Sequence, residues 1–286
     1  MNSTAVENSA TINGLDLHWL EWGPSDGEPV LALHGWLDNA ASFSVLSPLL
    51  KNCRVVAIDL PGHGLSGHRK PPGSYNIWDD LLDILALVDH LGWQEFNCLG
   101  HSRGAIIGLL LAVTQADRVQ RYIALDGIVA QALAATEAPS QLARYLRDQR
   151  RSRKPAAKYS SIEQAIQTRI KAGDISVIAA EPIVERGLQL VSTGVWQWRS
   201  DSRLRLASAF KMSSEHNLAF VQQLAVPSLL LLANQGIGKH PEVLTIAEMA
   251  SNLSISHLDG SHHFHMESQA PDIAQLIEEF LLESAY

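Results

Sequence analysis

The chain has 286 residues, 46% hydrophobic and 18% charged, enough apolar material for one large core with an insertion. No run of like charge is long enough for a disordered tail or a basic nucleic-acid arm, and the formal net charge of −8 argues against polyanionic partners. Apolar runs such as AIIGLLLAV from Ala105 fall far short of the roughly 18–20 residues that span a bilayer, so no membrane insertion is expected.

The opening segment MNSTAVENSATING has neither a basic nor an apolar leader region. Cys53 and Cys98 sit in apolar stretches and read as buried, inert thiols. Together these predict a cytoplasmic protein.

In chain order, residues 15–22 and those before them predict antiparallel edge strands. Short apolar runs that end in polar or glycine-containing turns follow: PVLALHGW from Pro29, CRVVAIDLPGHG from Cys53, FNCLGHSRG from Phe96 and RYIALDG from Arg121. PSLLLLANQG from Pro227 and SISHLDGSHH from Ser254 resume the pattern later. Runs apolar on both faces predict buried parallel strands.

Helical spacing fills several of the gaps. Residues 78–91 place Leu81, Leu85 and Val88 on one stripe with Leu82, Ile84, Leu87 and Leu91 beside it. The segment from Gly104 is small and apolar, and the segment from Pro271 alternates apolar pairs with acidic residues. Strand–helix alternation of this kind predicts an α/β fold with a mainly parallel sheet.

Residues 128–225 break the rhythm. They hold the basic stretch RDQRRSRK at residues 147–154, helical candidates SIEQAIQTRIKAG and PIVERGLQLV, and the aromatic VWQWRSDSRL. A structureless loop of that length is improbable, so they predict an inserted, largely helical cap. Residues 1–127 and 226–286 then form the core. The basic stretch reads as a solvated helix face or loop.

Ligands of open parallel sheets bind beyond the carboxyl ends of the strands. There FNCLGHSRG contains G-x-S-x-G as Gly100, His101, Ser102, Arg103 and Gly104, after a strand and before a helix. The two glycines allow a sharp turn that exposes Ser102 at a helix N-terminus, where free N–H groups favour an anion. In acyl transfer the developing oxyanion needs preorganised donors, and the backbone N–H groups of Trp36 and Arg103 are the candidates. Asp59 and His63, in AIDLPGHGLS, read as residues that fix a loop. The late stretch SHHFHME, with His262, His263 and His265, suits a metal site, a proton-transfer site or a solvated loop. With His257 near but no further Cys, Asp or Glu cluster, no recognisable metal-ligand set is complete.

HGW, DLPGHGLS, GHSRG and a late histidine turn, in this order along essentially the whole chain, resemble the α/β-hydrolase superfamily. Within it the chain is most similar to capped serine hydrolases of the carboxylesterase and serine-hydrolase-like type. The resemblance implies an α/β-hydrolase fold, a mainly parallel central sheet flanked by helices, with a helical cap inserted after the sixth strand. It also implies a serine nucleophile, Ser102, where relatives that attack with a carboxylate carry Asp. The family's base turn, G-H-x-x-x-x-E, counts back from Glu267 to His262 and leaves His263 and His265 out of register.

The triad acid is the difficult member. The usual place, after PSLLLLA, reads Asn234, Gln235, Gly236, Ile237, Gly238, Lys239, without a carboxylate. The superfamily's second solution, an acid just after the sixth strand, implies Asp126, with Glu242 and Asp259 as alternatives. Arg103 reads as a packing or salt-bridge residue. Trp36, Trp196 and Trp198 are candidates for lining an acyl pocket. The expected activity is cleavage of a small-molecule carboxylic ester, or of a thioester, lactone or β-diketone-like bond by the same triad. A non-catalytic binding protein on the same fold is the alternative of another class. No metal or organic cofactor is implied, and the chain is expected to act as a monomer or homodimer.

Overall fold

The computed structural model describes residues 4–71, 73–151, 156–173, 175–237 and 240–282. The chain opens with a hairpin of β1 (Val6–Ile12) and β2 (Leu15–Trp22). Its two-residue turn, Asn13-Gly14, has φ of 50° and 75°, the positive values that match a turn to the twist of the flanking strands.

Four buried strands follow, β3 (Glu28–Leu33), β4 (Cys53–Ile58), β5 (Phe96–His101) and β6 (Val119–Leu125). Between them lie α1 (Asp79–His90) and α2 (Arg103–Thr114). After β6 come α3 (Ala138–Arg150), β7 (Lys158–Tyr159), α4 (Ile162–Ala172), α5 (Val177–Gly187), β8 (Leu188–Ser192), β9 (Val195–Trp198) and α6 (Ser214–Gln222). The chain then returns to the sheet with β10 (Ser228–Ala233), α7 (Pro241–Ala247), β11 (Leu253–Leu258) and α8 (Ala270–Leu282).

The eight-stranded sheet has the order β1-β2-β4-β3-β5-β6-β10-β11. From β4 to β11 every pairing is parallel, and only the β1–β2 and β2–β4 pairs are antiparallel. The central strands are apolar on both faces because helices cover both: Ile84, Leu87 and Val88 of α1 join a cluster on one side, and Ile273, Ile277 and Phe280 of α8 one on the other.

Register lines up the functional edge. Leu33 pairs with Gly100, His101 with Leu125, and Leu125 with Leu231, so the residues that follow β3, β5, β6 and β10 emerge at one rim.

Besides its helices, the interval 128–225 carries a separate three-stranded antiparallel sheet of β7, β9 and β8. Two expectations are corrected. The run PIVERGLQLV divides at Gly187: its first half ends α5 and its second half is β8, turning through Gly194 (φ 68°) into the tryptophan-bearing β9. Apolar residues on both sides of the break imitate one continuous helical stripe. On α1, Leu82 is 73% exposed, while Asp80 and Asp83 are buried because they hold Arg69 and Arg103.

Burial pushes the free thiols of Cys53 and Cys98 up to about 12, which keeps them protonated and unreactive. Residues 147–150 of the basic stretch end α3, and residues 152–154 lie outside the described residues, as do Gly238 and Lys239 of the late loop and residues 1–3 of the opening segment. No helix among the described residues is long and apolar enough to cross a membrane.

Candidate active site

Ser102 sits between β5 and α2 with φ 52° and ψ −114°, a left-handed conformation that an L side chain adopts only where surrounding structure forces it. Its amide donates to Leu125 O at 3.0 Å, anchoring the turn to β6. The flanking glycines are required by space: a Cβ on Gly104 would stand 1.9 Å from Leu33 O, and one on Gly100 would stand 2.5 Å from the Ala105 backbone. The strained turn and close helix–strand packing are thus one construction.

Asp126 follows β6, also left-handed (φ 45°), and is fully buried. Its Oδ2 lies 2.6 Å from His262 Nδ1 and accepts from the Ile237 amide at 2.8 Å, while Oδ1 accepts from the Ala233 amide at 3.2 Å. A carboxylate can only accept, which assigns the proton of neutral His262 to Nδ1 and leaves the Nε2 lone pair free. The late loop that lacks a carboxylate therefore supplies amides that orient this one.

The three histidines of SHHFHME separate. His262 is partly exposed and takes Asp126, and its carbonyl accepts from His101 Nε2 at 2.9 Å. His263 points inward, with Nε2 3.2 Å from Asp38 Oδ2. His265 is fully buried, its ring 4.3 Å from that of His101 and 5.7 Å from that of Phe43. Burial first, then the neighbouring histidines, hold His101 and His265 well below the usual imidazole range, so both are neutral.

Sequence reasoning missed Asp38 and Arg169. Burial alone would raise the Asp38 carboxyl, but His263, Arg169 and His101 hold it well below its usual value. Arg169 of α4 donates to Asp38 Oδ1 at 2.5 Å and so ties the inserted segment to the loop after β3. The signal available was Asp38 itself, in HGWLDN beside the predicted oxyanion residue. Asp38, His101 and His263 bring three ligand-type atoms within 4.8 Å, a spacing a cation could bridge. Arg169 already neutralises that carboxylate.

The Trp36 and Arg103 backbone N–H groups have no hydrogen-bond partner among the described residues, and Gly35 abuts the end of β5, where its Cβ would lie 3.1 Å from His101 Nδ1. The Arg103 side chain turns away to donate to Asp80 Oδ2 at 2.7 Å, a salt-bridge role. No side-chain hydrogen bond holds the Ser102 hydroxyl among the described residues. The Ser102 backbone lies against the segment that carries Asp126: a Cβ on Gly127, the next residue, would stand 2.9 Å from Ser102 Cα.

Other predicted residues fall elsewhere. Asp59 accepts from the Ala40 and Leu65 amides, each at 2.7 Å, and from Arg186, and His63 Nδ1 lies 3.1 Å from Pro61 O; both fix a loop. Asp259 accepts from Asn234 at 2.7 Å, and Glu242 lies exposed in the first turn of α7. Trp36 lines a cavity of about 590 Å³ between core and inserted segment. Trp196 and Trp198 do not line it: they pack on a cluster around Ile183 and Leu188, with Trp198 Nε1 donating to Tyr159 Oη at 3.1 Å.

A parallel sheet with a strained serine turn after β5 and an Asp–His pair across its rim defines an α/β hydrolase. Residues 28–167 match the family described as the alpha/beta hydrolase fold. The chain is 34% identical to a serine hydrolase-like protein of Dictyostelium discoideum, over 94% of this chain and 79% of the relative. It is 32% identical to serine hydrolase-like protein 2 of Homo sapiens, over 91% and 88%. The crystal structure of a hypothetical protein from Pseudomonas aeruginosa PAO1 superposes with a TM-score of 0.92 at 39% identity, covering 97% of this chain and 99% of that one. The chain belongs to the α/β-hydrolase family, in the company of the serine hydrolase-like proteins.

Proposed function

We propose that the protein is a serine hydrolase that cleaves small to medium carboxylic esters through an acyl-enzyme. Ser102 attacks the carbonyl carbon while His262 Nε2 takes the hydroxyl proton, and Asp126 holds the imidazole in that tautomer and stabilises the imidazolium. The Trp36 and Arg103 amides receive the oxyanion. His262 then returns the proton to the departing alcohol, and water, activated by the same imidazole, releases the acid. Residues 128–225 act as a cap, held to the core through Arg169–Asp38 and Arg186–Asp59.

The observation that carries this reading is the 2.6 Å contact between His262 Nδ1 and a buried Asp126 that also accepts from two backbone amides. It supplies the acid that the late loop lacks. A rate panel over short p-nitrophenyl esters, thioesters, lactones and a β-diketone tests the bond assignment. Ester turnover that vanishes in Ser102→Ala is expected; cleavage of the diketone with esters untouched would move the activity to carbon–carbon bonds.

A further inference from the structure

The cavity of about 590 Å³ falls within the range of small-molecule sites. It opens beside the catalytic turn, because Trp36, Arg103 and Ile106 stand in its wall. Its other side is made by the inserted segment. Five cations line it, Arg103, Arg144, Arg203, Arg205 and Lys211, and no carboxylate does among the described residues.

That is unexpected in a chain of net charge −8. Some of this charge is answered from behind the wall. Arg103 is bound to Asp80 at 2.7 Å, Arg203 to Asp201 at 2.5 Å, and Arg144 approaches Asp148 at 3.9 Å. Arg205 and Lys211 have no carboxylate partner among the described residues. Glutamines 131, 141 and 149 add neutral donors to the same wall. The local field is positive where the overall field of the protein is negative, and low-dielectric walls focus such a field.

From this, and resting on the serine-hydrolase reading, we infer that the substrate is an ester that carries a second, negatively charged group, a carboxylate or a phosphate, placed in this cavity against Arg205 and Lys211. The anion offsets the uncompensated cations and positions the scissile carbonyl at Ser102. A neutral ester of the same shape leaves both cations unanswered.

Two measurements separate this inference from the reading beneath it. Binding to Ser102→Ala by calorimetry compares monomethyl suberate, a monoanion, with methyl suberamate, its neutral amide counterpart, and with a phosphate monoester of matched length. Turnover by the unaltered protein compares p-nitrophenyl esters of suberate and of suberamic acid. An anion preference of about tenfold or more in both is expected, shrinking in roughly 1 M salt, where the Debye length is about 3 Å. The Arg205→Gln, Lys211→Gln double variant brings the ratio toward one. Whichever anion binds tighter fixes the second group as carboxylate or phosphate. If the amide binds and is cleaved as well as the anion, the inference fails while the serine-hydrolase reading stands. If Ser102→Ala prefers the anion but neither ester is turned over, the cavity assignment stands and the hydrolase reading fails.

Discussion

Asp126 and His262 lie 136 residues apart in sequence and 2.6 Å apart in space. The contact joins the end of β6 to the turn after β11 across β10, and amides of the β10 loop complete it. Asp126→Asn keeps the shape but can donate to Nδ1, stabilising the wrong imidazole tautomer. We expect kcat to fall by about 10⁴, as for the equivalent change in a serine protease, while Glu242→Gln leaves it within a factor of about two. Steady-state kinetics of the two variants decides; the reverse pattern would move the acid to the late loop.

Gly236 is the late loop's contribution in another form. A Cβ there would stand 2.1 Å from Asp126 Oδ2, although the backbone itself is not left-handed. Gly236→Ala should displace the carboxylate and lower kcat by roughly one to two orders of magnitude, by the scale set for a misplacement of about 1 Å. Far-ultraviolet circular dichroism should be unchanged. Unaltered kcat would show that the loop yields instead.

Stability should fall in acid well before carboxylates titrate. Burial holds His34, His63, His101 and His265 below the usual value of 6.5. Below that pH the unfolded chain binds protons that the folded chain refuses, so stability rises with pH there and is lost as pH drops, by at most about 1.4 kcal/mol per unit for each group. Asp38, depressed when folded, adds a loss only at lower pH, below its usual 3.8. Urea midpoints should therefore decline steadily from pH 7 to pH 5. A flat profile over that window contradicts the neutral, buried assignment.

Arg186 is nearly buried and donates to Asp59, which is fully buried, and to Glu7. Arg186→Gln leaves Asp59 with two amides and no counter-charge. Breaking a buried pair from one side costs about 3–5 kcal/mol, and two remaining amide donors place the expected loss at the lower end. Denaturant unfolding measures it, and a change below about 1 kcal/mol would show the pair to be solvent-screened.

The strands were legible because parallel strands covered on both faces have no polar alternation to obscure them. The elbow was legible because Gly100 and Gly104 satisfy two steric demands within five residues. Asp126 was reached only through family resemblance: nothing local distinguishes an Asp that orients a base from one that closes a turn. Asp38, Arg169 and Gly236 act through contacts made by distant segments, which no local spacing encodes. The small sheet was hidden because α5 runs directly into β8, Gly187 to Leu188, with no loop between them.

Activity-based labelling reports on Ser102 itself, since a fluorophosphonate reacts quickly only with an activated serine. One adduct is expected, located at Ser102 by mass spectrometry, absent in Ser102→Ala and formed far more slowly in Asp126→Asn. Native protein that labels no faster than urea-unfolded protein would contradict it, and would leave a hydrolase fold used for binding alone.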